Sequence, residues 1–225
     1  MIHVVIDLEM NIIKKQVNED GHKLSSEVIE IGAVKTDDNF NIIDKFQTYV
    51  SPDFGPLTPR IIKLTHITDE TLEGAPKYAE ALRSFLDWVG DEETTFYSWS
   101  LADIRQFINE SRYKGAYLYE VEDLKPHWVD FQKVFSDLLG IDKIIKLKDA
   151  VSSADYQFTG AEHTALADAV NTTEIFILSK DPEKFEKVMG PVLDLFREDD
   201  KKNTLFDMCP DYFNKFNINN SETDS

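Results

Sequence analysis

Four carboxylates and a histidine, Asp7, Glu9, Asp103, His163 and Asp168, are the side chains of this 225-residue sequence whose types and spacing could do chemistry together. Carboxylate oxygens suit hard divalent cations, which prefer oxygen ligands and keep several waters of their own. An imidazole beside them is a proton acceptor, since an unperturbed histidine titrates at about 6.5 and is mostly neutral at physiological pH. Such a set needs a scaffold that brings residues 7 and 168 together.

Part of that scaffold is readable. Asp7 and Glu9 close the apolar run Ile2, Val4, Val5, Ile6, and a strand's period of two sends both side chains to one face of a sheet. Asp103 follows a second buried-strand candidate, Thr94 to Trp99, and opens a pattern in which Ile104, Phe107 and Ile108 recur at helical spacing. An aspartate at a helix start is often only a cap, but Ser100 competes for that role and frees Asp103 for other work. His163 and Asp168 lie in the small-residue string Gly160 to Ala169, a helix that can approach another element closely. Five residues on one helix subtend roughly 140°, so the two side chains would not share a face if both were helical. His163 is therefore expected on the loop or first turn entering the helix, with Asp168 facing the sheet.

In order and spacing these residues resemble the three motifs of the DEDDh 3′-to-5′ exonuclease superfamily: D-x-E, a distal Asp, and H-x-A-x-x-D. They stand here as Val5-Ile6-Asp7-Leu8-Glu9, Trp99-Ser100-Leu101-Ala102-Asp103 and His163-Thr164-Ala165-Leu166-Ala167-Asp168. Glu30-Ile31-Gly32-Ala33-Val34, Tyr49-Val50-Ser51-Pro52 and Leu64-Thr65-His66-Ile67-Thr68 look like the family's second strand, third strand and substrate-side turn. The resemblance covers residues 1 to 180 and is nearest to the branch of the histone-mRNA 3′ exonuclease and bacterial KapD-like proteins. The cues are the long segment PDFGPLTPRIIKLTHIT and the W-x-x-x-D second motif. Ser100 departs from the glycine many members carry after the tryptophan, and His66 stands where T-G-I is common.

The resemblance implies a ribonuclease-H-like α/β fold, a mixed five-stranded sheet flanked by helices. It implies a metal-dependent 3′-to-5′ exonuclease that removes nucleoside 5′-monophosphates from the 3′ ends of short or single-stranded RNA, or DNA. Two Mg²⁺ or Mn²⁺ ions about 4 Å apart would orient a water and stabilise the attacking and leaving oxygens. By analogy Asp7 bridges both ions, Glu9 and Asp168 complete the first, Asp103 supports the second, and His163 takes the proton from the water. Substrate contacts are expected at Met10, Asn11, Thr65, His66 and Ser100, where contacts to the 3′ end can distinguish a 2′-OH. Trp99 is expected in the core rather than stacked on a base.

Composition bounds the rest. The chain has 42% hydrophobic residues, enough for one substantial core. Its lone cysteine, Cys209, excludes an intramolecular disulfide and suits a reducing cytosol, and no secretory or membrane-spanning pattern is present, so a cytoplasmic protein without a membrane partner is expected. With 24 basic and 42 acidic side chains the net charge is -18, whereas nucleic-acid binders usually show a basic footprint. A long duplex should be a poor ligand; Lys14, Lys15, Lys23, Lys143, Lys146 and Lys148 are candidates for a local basic rim.

Strands are expected at 2 to 8, 28 to 36, 40 to 50, 94 to 99 and 127 to 130, the second and third joined as a hairpin through Thr36-Asp37-Asp38-Asn39. Helices are expected between Pro76 and Gly90, and at 102 to 113, 131 to 139, 147 to 154 and 163 to 179. Residues 1–180 read as the exonuclease domain and 181–225 as a helical extension with one helix around Phe185 to Met189, another around Val192 to Phe196, and a disordered acidic end. The rival function is a regulatory or binding protein that keeps the fold and engages a protein partner through its acidic surface or this extension.

Overall fold

Apolar side chains recur at every second residue from Ile2 to Leu8, and in the computed structural model that run lies at the centre of a sheet. The structure describes residues 1–198 apart from 155, 158, 161 and 162; Cys209 and the acidic end lie outside the described residues. Strands β1 (Ile2–Val17), β2 (Lys23–Thr36) and β3 (Ile42–Tyr49) pair antiparallel, and β4 (Thr94–Ser98) and β5 (Trp128–Asp130) add in parallel beyond β1. The order is β3-β2-β1-β4-β5, a mixed five-stranded sheet as expected. At the β2–β3 turn, Asp37 Oδ1 accepts the N–H groups of Asn39 and Asn41 at 2.9 and 2.8 Å.

Helices α1 (Pro59–Thr65), α2 (Tyr78–Val89), α3 (Ala102–Lys114) and α4 (Leu118–Leu124), a 3₁₀ turn (Lys125–His127), and α5 (Phe131–Leu139), α6 (Leu147–Ser153), α7 (Ala165–Ser179) and α8 (Pro182–Glu198) complete the order. One face of the sheet, with Val4, Ile6, Leu8, Ile31 and Ala33, packs on Leu82 and Phe85 of α2 and Ile104 and Phe107 of α3. Each such fully buried side chain contributes on the order of 1.5–3 kcal/mol. On the other face Val34 meets Leu166, Ala169 and Val170 of α7. Both faces are covered, which is why β1 and β2 read as nearly continuous apolar runs.

Four elements differ from expectation. β1 runs to Val17 rather than ending near residue 8: past Glu9 it pairs with β2 alone, burying Asn11 and Ile13 while Ile12, Lys14 and Lys15 face solvent. α1 and α4, seven residues each, are too short to leave a helical period in the sequence. The two short helices expected after Pro182 are one, α8, with Pro191 inside it.

The contacts divide the chain into two compact units, the first being Met1–Phe131 with Thr159–Thr173 and the second the remaining described residues. In the second unit Phe135 meets Phe185 edge to face at 6.1 Å, and Ser136 Oγ donates to Lys143 O at 2.9 Å. Among the described residues no helix is long and apolar enough to cross a membrane.

Candidate active site

β4 accompanies β1 only from Ile2 to Val5. Beyond that point β1 runs on without its parallel neighbour, and Asp7 and Glu9 stand in the crevice at the carboxyl end of β4, the place where open α/β sheets bind ligands. Asp7 pairs with Gly32 and Glu9 with Glu30 across the antiparallel ladder, so these four residues share one face. α7 crosses that face. A Cβ built on Gly32 would lie 2.1 Å from Leu166 N and 2.2 Å from Ala165 C; only glycine admits the helix so close.

That approach brings Asp168, in the first turn of α7, down to the carboxylates of β1. Ligand atoms of Glu9, His163 and Asp168 all lie within 4.8 Å of one another. His163 sits outside the helix, in a left-handed turn at φ 63, and is exposed. The expected placement on the entering loop holds, and leaving the helical path is what lets it share a point with Asp168.

Asp103, from the start of α3, approaches from the opposite side of the strand, and its Oδ1 accepts the Leu8 N–H at 3.2 Å. Ser100 Oγ accepts the Ala102 N–H at 3.2 Å, but Leu101 occupies the N-cap of α3 and no side chain caps the helix, so neither Ser100 nor Asp103 takes that role. Ser98 Oγ donates to Ser100 O and also bonds Asp103.

The electrostatics of the set are adverse. Burial, then the charges of Asp103, Asp168, Glu9 and Glu30, holds Asp7 well above the usual carboxylate range. Glu9 is pushed up to about 8 by burial and by Asp168, Glu30 and Asp103. Burial raises Asp103 to about 7 against the hydrogen bonds that favour its charge. Among the described residues no Lys or Arg pairs with Asp7 or Glu9. Carboxylates desolvated together without a cation of their own fit a site for hard divalent cations, with Asp7, Glu9, Asp103 and Asp168 as the residues to hold them.

Two positioning residues escaped sequence reasoning. Glu30 is fully buried; its Oε2 accepts the Ala165 N–H at 3.0 Å and its Oε1 accepts from Gln47 Nε2 at 2.6 Å. It thus satisfies an open N–H group at the start of α7 and ties that helix to β2. The signal was present as a charged residue between Ile29 and Ile31 in an apolar strand. The second is Gly32.

The expected substrate contacts separate into two groups. Asn11 is 1% exposed, donating to Pro56 O at 3.4 Å and accepting from Thr58 N at 3.1 Å, so it fastens the loop after β3. Thr65 is equally buried, its Oγ1 donating to Ile61 O and accepting the Ile67 N–H. Met10 and Ser100 are half-buried and His66 is exposed. His66 caps α1 at φ 59, a left-handed conformation that glycine adopts more freely than histidine. Trp99 is a core residue, 9% exposed and packed edge to face on Phe131. Lys14, Lys15 and Lys23 are exposed on the β1–β2 hairpin, whereas Lys143, Lys146 and Lys148 belong to the second unit.

This arrangement can hold divalent cations against a phosphodiester with a proton acceptor at hand. The sequence model of the Exonuclease family matches residues 4–176, and the chain belongs to that family. Over 150 residues it is 31% identical to the PolC-type DNA polymerase III of Bacillus subtilis (strain 168), and over 89 residues 42% identical to that of Staphylococcus aureus (strain bovine RF122 / ET3-1). Those stretches cover 67% and 40% of this chain but 10% and 6% of the polymerases, so it spans a tenth or less of these relatives. Its fold is similar to cell-death related nuclease 4, at a TM-score of 0.64 and 20% identity over 80% of this chain and 64% of that one. The nuclease domain of 3′hExo, a DEDDh family member bound to rAMP, gives 0.62 and 21% over 80% and 92%. Escherichia coli Exonuclease I in complex with a dA16 oligonucleotide gives 0.63 and 16% over 85% and 42%.

Proposed function

We propose that the chain is a 3′-to-5′ exonuclease that releases nucleoside 5′-monophosphates from short or single-stranded RNA, or DNA, with two Mg²⁺ or Mn²⁺ ions. The observation that carries this reading is the convergence of Glu9, His163 and Asp168 within 4.8 Å beside Asp7 and Asp103. A terminal phosphodiester is charged and a poor electrophile. Bound divalent cations supply Lewis-acid stabilisation of the attacking and leaving oxygens. His163 accepts a proton from the attacking water, whose oxygen bonds to phosphorus as the bond to the neighbouring 3′ oxygen breaks, and that 3′ oxygen takes a proton from solvent water. The products are a 5′-monophosphate and a strand with a new 3′-hydroxyl.

Support for a 3′ end and for single strands comes from the neighbours, one bound to rAMP and one to a dA16 oligonucleotide. The W-x-x-x-D form of the second motif supports placement in the branch of the histone-mRNA 3′ exonuclease and KapD-like proteins. Met10, His66 and Ser100 are the side chains open enough to meet the terminal nucleotide.

The test is degradation of 5′-labelled single-stranded RNA and DNA oligonucleotides with Mn²⁺, Mg²⁺ or EDTA, with Asp7→Ala and His163→Ala alongside. A ladder shrinking from the 3′ end, dependent on metal and absent in both variants, is expected. Lack of cleavage with any ion, or direct release of the 5′ label as a mononucleotide without a ladder, overturns the reading.

A further inference from the structure

A chain of net charge -18 that acts on a polyanion needs a local place of opposite sign, and the lysines that looked suited to it in the sequence divide between the β1–β2 hairpin and the second unit. One side of α3 offers one. Leu101, Ile104, Arg105, Ile108, Asn109 and Arg112 recur there at helical spacing, and with Lys125 and Trp128 they line a groove of about 550 Å³. That volume lies within the usual range of roughly 300–1,000 Å³ for ligand sites. Three of its lining residues are cations and none is an acid. Arg112 donates to Glu122 at 2.7 Å, whereas among the described residues Arg105 and Lys125 have no ion pair or side-chain hydrogen bond.

The floor is apolar and held still. Trp128 is 8% exposed, stacks on Phe96 at 5.3 Å and donates from Nε1 to Ser98 Oγ at 2.8 Å. The groove starts at Leu101, two residues before Asp103, and runs toward Arg112. Eleven residues of helix span about 16 Å, and Arg105 and Arg112 stand about 10 Å apart along the axis. Spaced cations over an apolar floor suit successive phosphates with sugar and base edges between them rather than one phosphate. A stacked strand rises about 3.4 Å per nucleotide, so several nucleotides fit.

We infer that this groove holds single-stranded nucleic acid on the 5′ side of the nucleotide being removed. The inference rests on the nuclease reading above and assigns the strand's path, which that reading leaves open. Placed outside the catalytic crevice, the cations attract phosphate without competing with the carboxylates of β1 for bound ions.

The experiment is fluorescence anisotropy of the full chain with a 5′-labelled single-stranded 12-mer in EDTA, over a series of salt concentrations. Arg105→Glu with Lys125→Glu should weaken binding by about tenfold or more and lower the log K against log salt slope by roughly 1.4, two phosphate contacts' worth. Arg105→Gln with Lys125→Gln should fall between, and circular dichroism shows whether each variant is folded. With Mn²⁺, the same variants should lose kcat/KM on the 12-mer far more than on a dinucleotide. Binding and salt slope equal to the parent in folded variants overturn the groove, as does AMP displacing the 12-mer as well as an unlabelled 12-mer does. If the parent cleaves nothing yet binding depends on these cations, the nuclease reading fails and the groove stands.

Discussion

Replacing Gly32 with alanine adds one methyl group where β2 and α7 touch, opposite Asp7 on the face that carries the site. The added carbon would lie 2.1 Å from Leu166 N, 2.2 Å from Ala165 C and 2.5 Å from Leu166 Cα. All three are backbone atoms, so no side chain can swing away. Regaining an ordinary contact of 3.4 Å requires the helix to withdraw by roughly 1.3 Å. Overpacking costs about 1–3 kcal/mol in well-packed interiors, and a bodily helix shift places this change toward the upper end. A Tm lower by roughly 5–10 °C follows. Asp168 rides on that helix and His163 on the turn before it, so both withdraw from Glu9. Misplacement by about 1 Å typically costs a factor of about 10² in rate. The assay is thermal melting with and without Mn²⁺ and kcat/KM on a single-stranded oligonucleotide, with Gly190→Ala in α8 as control, where an added Cβ meets nothing within 4 Å. A folded Gly32→Ala protein with the parent's melting point, Mn²⁺-induced shift and kcat/KM would refute the claim that this contact sets the position of Asp168.

Glu30→Ala should lower stability by about 1–3 kcal/mol and activity with it, because Ala165 N–H and Gln47 lose their buried acceptor. Glu30→Gln keeps an oxygen for Ala165 and should recover most of both; an inactive but stable Glu30→Gln would show instead that the charge itself is used. Raised carboxylate values in the folded protein mean stability that is fully present below the unfolded pKa and lost as pH rises through the folded one. In EDTA, melting temperature should therefore fall between pH 4.5 and about 8, the ordinary and raised values of Glu9, with Asp103 contributing up to about 7. Mn²⁺ should raise melting temperature more at the alkaline end of that window; a shift independent of pH would count against these carboxylates as the ligands.

Asp7 and Glu9 were legible because a strand's period of two is a strong constraint, and Asp168 because its helix is unusually poor in bulk. What escaped depends on long-range closeness. Gly32 and Glu30 matter because α7, about 135 residues later, lies on them; a charge and a glycine in an apolar strand mark β2 as unusual but do not name the element that meets it. The groove was missed for a related reason. Arg105 and Arg112 on an amphipathic helix look like a solvated face until Trp128 and Lys125 supply the other wall. Local patterns name residues that share an element; they do not name pairs that two elements bring together.

The same sheet carries buried acids treated in opposite ways, and the contrast separates scaffold from site. Glu27 of β2 and Glu110 of α3 are fully buried, and Lys114 reaches both, at 3.0 and 2.9 Å, as well as Asp53 at 2.7 Å. Asp53 N and Phe54 N complete Glu27, so that network is closed and fastens the loop after β3. Asp7 and Glu9 lie a few residues along the neighbouring strand among further carboxylates and no ammonium. A lysine there would relieve the repulsion, and it would also occupy the space a divalent cation needs. The fold concentrates the adverse charge where a bound cation can offset it and neutralises it at Glu27 and Glu110. Net charge is then a poor guide to what this chain binds: local cations govern the strand, and the acidic surplus around the crevice is the part that awaits metal.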